Sequence, residues 1–409
     1  MTKGRAHYAP NISFTRADFR RPKTQCTEIS TRMLSRQFLP CYNLPVIKDL
    51  SLRKVLILAM RPYLLTVLLT TMIFLSSSCN QQRDAPNENA TEYEKVRLVM
   101  TANGTDLGIE TLTARRFSEL VSEASGGNVQ IEFYPNDELT GGNTNEAVRS
   151  LTEGTVDLGA YVSGTMSLLD PRLEVATIPW SFANYKEARQ VIDSSGGKFY
   201  EKVLEEYGLV YLGSTHNAMR QLSNNRNPVR TPDDLRDMKI RVLGGEVYRR
   251  FFSALEAKPV TLGWSELNIA IRQGVIEGQE NGFFLMRSGH LNEIQKFMTV
   301  WNYLYENYLF VINRKTFDQL APKTQMLLRE KMREACEWSR DYLEAEEKKI
   351  RAQFVADGLQ IVELTPEELA LFKERVRPLR EKLKEIYGEE ACNAFRIDME
   401  KNFNEDDHK

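Results

Sequence analysis

The sequence has few of the residues, and none of the motifs, on which enzyme active sites are commonly built. Its 409 residues include four histidines and five cysteines, and only His216 and His290 lie between residues 95 and 403. No HExxH, GxSxG, Walker phosphate loop or CxxC motif occurs. Gly196-Gly197-Lys198 lacks the upstream glycine and the hydroxyl residue of a phosphate loop. These absences weigh against an enzyme and against a nucleotide or metal cofactor.

Glycine and proline are also limited, at 23 and 15 residues, which excludes collagen and a wholly disordered chain. Hydrophobic residues make up 42% of the sequence and charged residues 27%, as in a globular protein. The length suffices for two ordinary domains with a sizeable core.

The net charge of −2 conceals two different segments. Residues 1–78 carry 12 Lys or Arg against 3 Asp or Glu, which leaves −11 on residues 79–409. An acidic body lacks the basic face by which proteins usually hold nucleic acid, so no nucleic-acid partner is expected. An anionic ligand would need a local positive pocket.

A short uncharged run near the front predicts export. Pro62–Leu75 carries no charge, follows Arg53, Lys54 and Arg61, and is followed by Ser-Ser-Ser-Cys79. Fourteen residues rise only about 21 Å as a helix, less than a bilayer core of roughly 30 Å. A basic segment, a short apolar core and small residues predict a secretory signal. The ending resembles a bacterial lipoprotein site with Cys79 lipidated; a plain cleaved signal and a retained anchor are the alternatives.

The position of the signal core also predicts what the segments before and after it are. A signal normally has a short basic segment, so Met60 is the expected start and 60–78 the signal. Residues 1–59 are then a non-native extension, with a functional basic extension as the alternative. Residues 79–94 are polar and predict a tether.

Export leaves two cysteines in the body of the mature chain, Cys336 and Cys392. They could pair in an oxidising compartment, but no spacing rule decides it. Cys336 lies in a strong helical pattern, so a buried free thiol is the expectation.

Strand-like and helix-like segments alternate along the body, which predicts an α/β fold with parallel pairing. The predicted strands are Val96–Thr101, Val129–Tyr134, Val156–Tyr161, Leu209–Ser214, Lys239–Leu243 and Pro259–Leu262. The predicted helices are Thr111–Ala124, Asn145–Glu153, Glu246–Ala257, Trp264–Gln273, Pro366–Tyr387 and Glu389–Asn402.

One helical segment is unusually long. Lys323–Val355 contains no Gly or Pro, and as one helix it would extend about 50 Å, more than the diameter of a small domain. A helix of that length often runs along two lobes. Two separate helices or a coiled-coil arm are the alternatives.

Polar and aromatic residues cluster at predicted strand ends in the middle of the chain. Arg220 follows one strand, Arg241 lies inside the apolar strand KIRVL, Trp264 begins a helix, and Asn281 ends the run QEN. A charge in an apolar strand needs a partner, and an arginine fork suits a carboxylate. A structural salt bridge of Arg241 with an Asp or Glu is the alternative. His216, at a strand end, is either a ligand contact or a supporting residue.

The chain resembles one family over Lys95–Phe403. The resemblance rests on YPNDELTGGNTNEAVRSLTEGTVDLGAY, on VATIPWSF and above all on LRDMKIRVLGGEVYRRFFSALEAKPVTLGWSELNIAIRQGVIEGQEN. The sequence is similar to the extracytoplasmic solute-binding proteins of tripartite ATP-independent periplasmic (TRAP) transporters. That resemblance implies two α/β lobes joined by crossing strands, with a long helix spanning both.

The resemblance also implies a site. Arg241 falls on the family's carboxylate-binding arginine and Arg220 on a frequent second basic partner. Asn281 matches an amide that holds the same carboxylate, and Trp264 an aromatic residue of the pocket. Gly282 replaces the proline that commonly follows the asparagine. Further ligand contacts are expected from Asn103, Asp106 and Glu110 near the end of the first strand.

The function implied is capture of an organic acid between the lobes and its delivery to a membrane permease driven by a sodium gradient. Polar residues near the strand ends favour a sugar acid such as a uronate, with a C4-dicarboxylate or 2-oxo acid as the alternative. Val162 stands where sialic-acid-binding members carry a glutamate, which disfavours sialic acid. A secreted acid-sugar enzyme is the less favoured reading. A periplasmic monomer is expected, with lobe I at 95–217 and 306–345 and lobe II at 218–305 and 346–403.

Overall fold

The computed structural model describes residues 93–398, which form two β-sheets with helices packed on them. The predictions for residues 1–59, for the signal at 60–78 and for Cys79 lie outside these residues. The strands are β1 Val96–Ala102, β2 Val129–Tyr134, β3 Leu158–Val162, β4 Leu209–Met219, β5 Gln221–Asn224, β6 Lys239–Val242, β7 Lys258–Thr261, β8 Gly278–Asn281, β9 Phe297–Val300, β10 Tyr305–Asn313 and β11 Gln360–Glu363.

Helices fill most of the chain between these strands. The α-helices are α1 Ile109–Ala124, α2 Thr144–Glu153, α3 Ser163–Met166, α4 Tyr185–Val191, α5 Gly197–Glu206, α6 Glu246–Ala254, α7 Trp264–Arg272, α8 Phe283–Ser288, α9 Arg314–Gln319, α10 Pro322–Ala356, α11 Pro366–Tyr387 and α12 Glu389–Ala394. The α/β class predicted from the alternation is confirmed.

Each sheet forms the centre of one lobe. The first sheet has the order β2-β1-β3-β10-β4, and the second the order β11-β9-β5-β8-β6-β7. The chain leaves the first sheet from β4 into β5 and returns from β9 into β10, so two segments cross between the sheets in opposite directions. The division of the chain into the lobe ranges predicted above stays a prediction.

The sheets are mixed, so the prediction of parallel pairing holds only in part. β1 pairs parallel with β2 and β3, but β10 runs antiparallel to β3 and β4. β5 likewise runs antiparallel to β8 and β9. The reason is the pair of crossings, because strands that carry the chain out and back must point in opposite directions.

Two predicted element ends differ from the structure by five residues or more. β4 runs on past Ser214 to Met219, because its polar residues keep pairing with β10 as far as Met219 opposite Tyr305. α12 ends at Ala394 rather than Asn402, since Arg396 takes a left-handed conformation with φ of 54°.

The long helix α10 is one continuous helix of 35 residues, about 52 Å at its ordinary rise. Its first half packs on the first sheet, where Gly213 leaves room for Met332 and Cys336. Farther along, the Tyr342 and Phe354 rings contact α8 of the second lobe, at Phe284 and Phe283. The helix therefore spans both lobes as predicted, and the alternatives of two helices or a projecting arm are wrong.

The two cysteines of the described part are both free and buried. Cys336 lies on α10 and Cys392 on α12, in different hydrophobic clusters. The expectation of a free thiol at Cys336 is confirmed, and the open possibility of a Cys336–Cys392 disulfide is not realised.

Candidate ligand-binding cleft

A cleft lies between the sheets, at the carboxyl ends of β1, β6 and β8. Six of the eight ligand contacts expected from the sequence line it: Asn103, Glu110, Arg220, Arg241, Trp264 and Asn281. Asn103 and Glu110 belong to the first lobe, and Arg241, Trp264 and Asn281 to the second. In open α/β sheets ligands bind at such strand ends, because loops and helix starts converge there.

Arg241 is buried in the cleft, and no carboxylate of residues 93–398 forms a salt bridge with it. Its side chain projects from β6, and the residue is 1% exposed. Nε donates to the carbonyl oxygen of Leu262 at 2.9 Å, whereas Nη1 has no hydrogen-bond partner among the described residues. Burial lowers the pKa of Arg241 to about 10, although the more distant Glu280 favours the charged form. The alternative of a structural salt bridge finds no support here.

Arg220, by contrast, is held by two buried carboxylates. Its Nε and Nη2 donate to the Glu280 carboxylate, with Nη2–Oε1 at 2.8 Å, and Nη2 also donates to the Glu280 carbonyl oxygen at 2.7 Å. Its Nη1 donates to Glu306. Four of the five guanidinium N–H groups are thereby used, which leaves one for a ligand. Burial would lower the pKa of Arg220, but Glu280 and Glu306 raise it well above its ordinary value.

Neighbouring side chains complete this group, here called the Arg220 cluster: Arg220, Glu280, Glu306, Tyr248, Tyr303 and Asn217. The Tyr303 hydroxyl donates to Glu280 at 2.8 Å, and Tyr248 donates to Glu306. Asn217 Nδ2 donates to Glu306 at 2.6 Å. The two carboxylates carry one more negative charge than Arg220 balances, so hydrogen bonds stabilise the remainder.

The surroundings of Asn281 explain why Gly282 follows it in place of the proline that is common in the family. Asn281 Nδ2 donates to Gln279 Oε1 at 2.7 Å, which orients the amide on β8. A Cβ atom at Gly282 would lie 2.2 Å from the Cβ atom of Ala218. Any side chain at 282, a proline ring included, would therefore displace β4.

Glu110 is the second buried charged group of the cleft with an unused atom. It lies in the first turn of α1, is 1% exposed, and its Oε2 has no hydrogen-bond partner among the described residues. Burial raises its pKa to about 7, opposed by its own backbone N–H and by the Tyr308 hydroxyl.

The family model for bacterial extracellular solute-binding proteins, family 7, matches residues 101–386. The chain belongs to this family. The predicted resemblance to TRAP solute-binding proteins is thereby confirmed, whereas the division into sugar-acid and dicarboxylate types is left open by the relatives.

Relatives of this solute-binding protein bear names of both ligand types. It is 30% identical over 287 residues to the C4-dicarboxylate-binding periplasmic protein DctP of Rhodobacter capsulatus, covering 69% of this chain and 85% of that one. It is 27% identical over 251 residues to the 2,3-diketo-L-gulonate-binding periplasmic protein YiaO of Escherichia coli, covering 61% and 76%. Both relatives are named as periplasmic binding proteins.

A solved structure supports the fold. The sugar acid binding protein DctPAm of Advenella mimigardefordensis, in complex with galactonate, superposes with a TM-score of 0.72 at 24% identity, covering 76% of this chain and all of that one. The two-lobed fold of the family 7 solute-binding protein is thus shared with solved TRAP proteins.

Two of the predicted contacts do not line the cleft. Asp106 is exposed and accepts a hydrogen bond from Arg115 Nη2 at 2.6 Å. His216 is buried on the far side of β4, with Nδ1 2.8 Å from the Tyr305 hydroxyl and Nε2 3.5 Å from Glu344 of α10. Burial lowers the pKa of His216 to about 4. Their placement in the site is corrected accordingly.

Sequence reasoning missed the residue next to His216. Successive side chains of a strand point to opposite faces, so Asn217 faces the cleft where His216 does not. Tyr308 of β10 lines the cleft as well. One signal in the sequence could have drawn attention to these strands. Glu306 is a charge within the otherwise uncharged strand Tyr305–Asn313, and the argument made for Arg241 applies to it as well.

The described part of the chain, residues 93–398, contains no group of His, Cys, Asp and Glu side chains arranged to hold a metal ion. The same residues include no helix that combines the length and apolarity of a membrane span.

Proposed function

We propose that this protein captures an organic acid in the cleft and delivers it to a sodium-gradient-driven permease in the membrane. The observation that carries the proposal is Arg241, a buried guanidinium whose Nη1 has no hydrogen-bond partner among the described residues and which forms no salt bridge with a described carboxylate. A buried charge is costly unless it is paired. A carboxylate of the ligand would supply the missing partner through two parallel hydrogen bonds.

The favoured ligand is a sugar acid such as a uronate. Besides Arg241, three side-chain atoms at the cleft lack hydrogen-bond partners among the described residues: Thr105 Oγ1, Glu110 Oε2 and Asn217 Oδ1. Each can accept a hydrogen bond from a hydroxyl. One carboxylate and several hydroxyl groups describe a sugar acid. The Escherichia coli relative, named for a sugar-acid ligand, supports this choice.

A C4-dicarboxylate is the second candidate, since the Rhodobacter relative is named for that class and the match covers most of it. A 2-oxo acid belongs to the same alternative. Arg220 has only one N–H group left, on Nη1, so it could give the second carboxylate of such a ligand a single hydrogen bond.

A thermal-shift screen followed by titration calorimetry tests the proposal. The panel holds D-galacturonate, D-glucuronate, D-galactonate, succinate, malate and 2-oxoglutarate, with D-galactose as the uncharged control. A ligand at 100 times its Kd stabilises by about 2.7 kcal/mol, which a melting curve resolves. We expect one of the acids to shift the midpoint and galactose not to. Absence of any shift with all six acids would contradict the proposal.

The same mixtures test the absence of chemistry. A binding protein returns its ligand unchanged, so chromatography after prolonged incubation should recover the added acid. Conversion of a uronate to an unsaturated product would instead favour the secreted enzyme.

We further propose that the mature chain begins at Cys79, lipidated, and is tethered in the periplasm as a monomer by residues 79–94. The support is the uncharged run at Pro62–Leu75 directly before Ser-Ser-Ser-Cys79. Mass analysis of the native N-terminal peptide should find a lipid on Cys79, and Cys79→Ser should release the protein from the membrane fraction. Recovery of peptides from residues 1–50 would contradict this assignment.

A further inference from the structure

We infer that Glu110 selects the ligand in this cleft, accepting hydrogen bonds from hydroxyl groups and rejecting a second carboxylate. The inference rests on the proposed function, since it concerns which organic acid the same cleft accepts. It assigns the discrimination between sugar acids and dicarboxylates to one side chain.

Two glycines leave room for the Glu110 carboxylate. A Cβ atom at Gly104 would lie 1.1 Å from Glu110 Oε1, and one at Gly108 would lie 2.7 Å from both carboxylate oxygens. A side chain at either position would push this carboxylate out of its present place. The chain between β1 and α1 is therefore shaped around a carboxylate that it does not itself pair with a cation.

The orientation leaves one oxygen for the ligand. Oε2 is buried and lacks a hydrogen-bond partner among the described residues, and Glu110 lines the cleft together with Arg241. A buried acceptor without a donor is unfavourable, and a hydroxyl group of the ligand would satisfy it. A carboxylate of the ligand would bring a second acceptor and a second negative charge.

The charges around the cleft also favour a ligand with one carboxylate over a ligand with two. Arg241 is unpaired, but Arg220 already faces Glu280 and Glu306, so its cluster has no positive charge to spare. One ligand carboxylate therefore has a cation to meet. A second one would meet Glu110 or the overcompensated Arg220 cluster, and juxtaposed like charges disfavour binding.

Proton binding by Glu110 should distinguish the two ligand classes. The titratable groups that act on Glu110 are Tyr308 from β10 and Asp137 from the loop after β2. The positive groups that line the same cleft are Arg220, which acts on Tyr308, and Arg241. Burial raises the pKa of Glu110 to about 7, so its charge changes near neutrality. Hydroxyl donors prefer the ionised form and bind more tightly as pH rises. A dicarboxylate prefers the protonated form and binds more tightly as pH falls.

The test compares wild type with Glu110→Gln and Asp106→Asn. Asp106 is the matched control, an exposed carboxylate from the same segment that lies outside the cleft. Titration calorimetry with D-galacturonate, D-galactonate and succinate at pH 6 and pH 8, beside thermal melts, gives affinities for folded protein only.

We expect Glu110→Gln to lower the ratio of the Kd for succinate to the Kd for the sugar acid by about tenfold at pH 8, and to abolish the opposed pH dependences. Asp106→Asn should change neither. An unchanged ratio in folded Glu110→Gln, or tighter binding of succinate than of both sugar acids by wild type at pH 8, would overturn the inference. Either result leaves the proposed organic-acid function intact, whereas failure of every acid to bind wild type would contradict that function itself.

Discussion

Replacement of Arg241 by methionine should abolish tight binding without weakening the fold. Methionine has about the length and flexibility to fill the space of the arginine stem without its charge. The guanidinium is buried, donates through Nε to the Leu262 carbonyl oxygen, and has no partner at Nη1 among the described residues. A group held in that state is present for the ligand rather than for stability.

The two magnitudes follow from the contacts. Burial lowers the pKa of Arg241 to about 10, which corresponds to about 3 kcal/mol against the charged form. The hydrogen bond from Arg241 to Leu262 offsets about 1 kcal/mol of this cost. Arg241→Met removes both the cost and the hydrogen bond, so the free energy of unfolding should rise by about 2 kcal/mol. Binding should lose about 2–5 kcal/mol, roughly 30-fold to several-thousand-fold in Kd, because the ligand carboxylate is left buried and unpaired.

Calorimetric titration beside thermal melts separates these effects. Arg241→Lys should also bind more weakly, because a point charge cannot form two parallel hydrogen bonds. Arg272→Met, an exposed arginine of the same lobe, is the matched control and should leave binding and stability unchanged. Normal affinity in folded Arg241→Met would refute the carboxylate assignment. A lowered unfolding midpoint with normal binding would show that Arg241 serves the fold instead.

Three further predictions concern stability and motion. Arg220→Ala leaves Glu280 and Glu306 buried without their cation and should lower the free energy of unfolding by about 3–5 kcal/mol in denaturant melts, whereas the half-exposed Arg226→Ala should cost little. Burial raises the pKa of Glu174 from 4.5 to about 7, so the folded state binds that proton more tightly and stability falls as pH rises between these values. Glu174→Gln should therefore raise the unfolding midpoint more at pH 8 than at pH 5, and equal shifts at both would contradict the assignment. Small-angle scattering of the mature chain should show a smaller radius of gyration with bound acid, because a ligand held by both lobes favours their closure; an unchanged radius at saturation would indicate a cleft that is already closed.

The sequence predicted those parts of the fold that depend on local pattern. The alternation of strands and helices indicated the α/β class, and the run Lys323–Val355 without Gly or Pro indicated one long helix, which the structure places at Pro322–Ala356. The antiparallel crossings could not be predicted in the same way. They depend on which strands meet across the chain, as β10 does with β4, and no local signal in Tyr305–Asn313 specifies that partner.

The site residues likewise fall into those that a local sequence pattern indicates and those that depend on tertiary structure. Arg241 was singled out because a charge in an apolar strand demands a partner. The residue is buried, at 1% exposure, and its contact with a ligand stays a prediction. The sequence left His216 open between a ligand contact and a supporting residue, because strand alternation gives two faces without saying which one meets the cleft. Asp106 and Glu110 are four residues apart, yet only the second enters the cleft, since the turn between β1 and α1 sets their directions. The partners of Arg220 come from 60 and 86 residues away, beyond any local pattern.

The placement of the Arg220 cluster has a consequence for how such a protein acquires new ligands. The cluster joins the exit of β4, the start of β10 and strand β8, which is where the chain passes between the lobes, and Arg220 is already held there by Glu280 and Glu306. Glu110 lies instead on the first lobe, in the first turn of α1, and takes no part in the hydrogen bonds of the Arg220 cluster. Under the role inferred for Glu110, substitutions around it would alter ligand preference while the contacts between the lobes stay as they are. A lineage of these proteins would then change from one acid to another without rebuilding the region where the chain passes between the lobes.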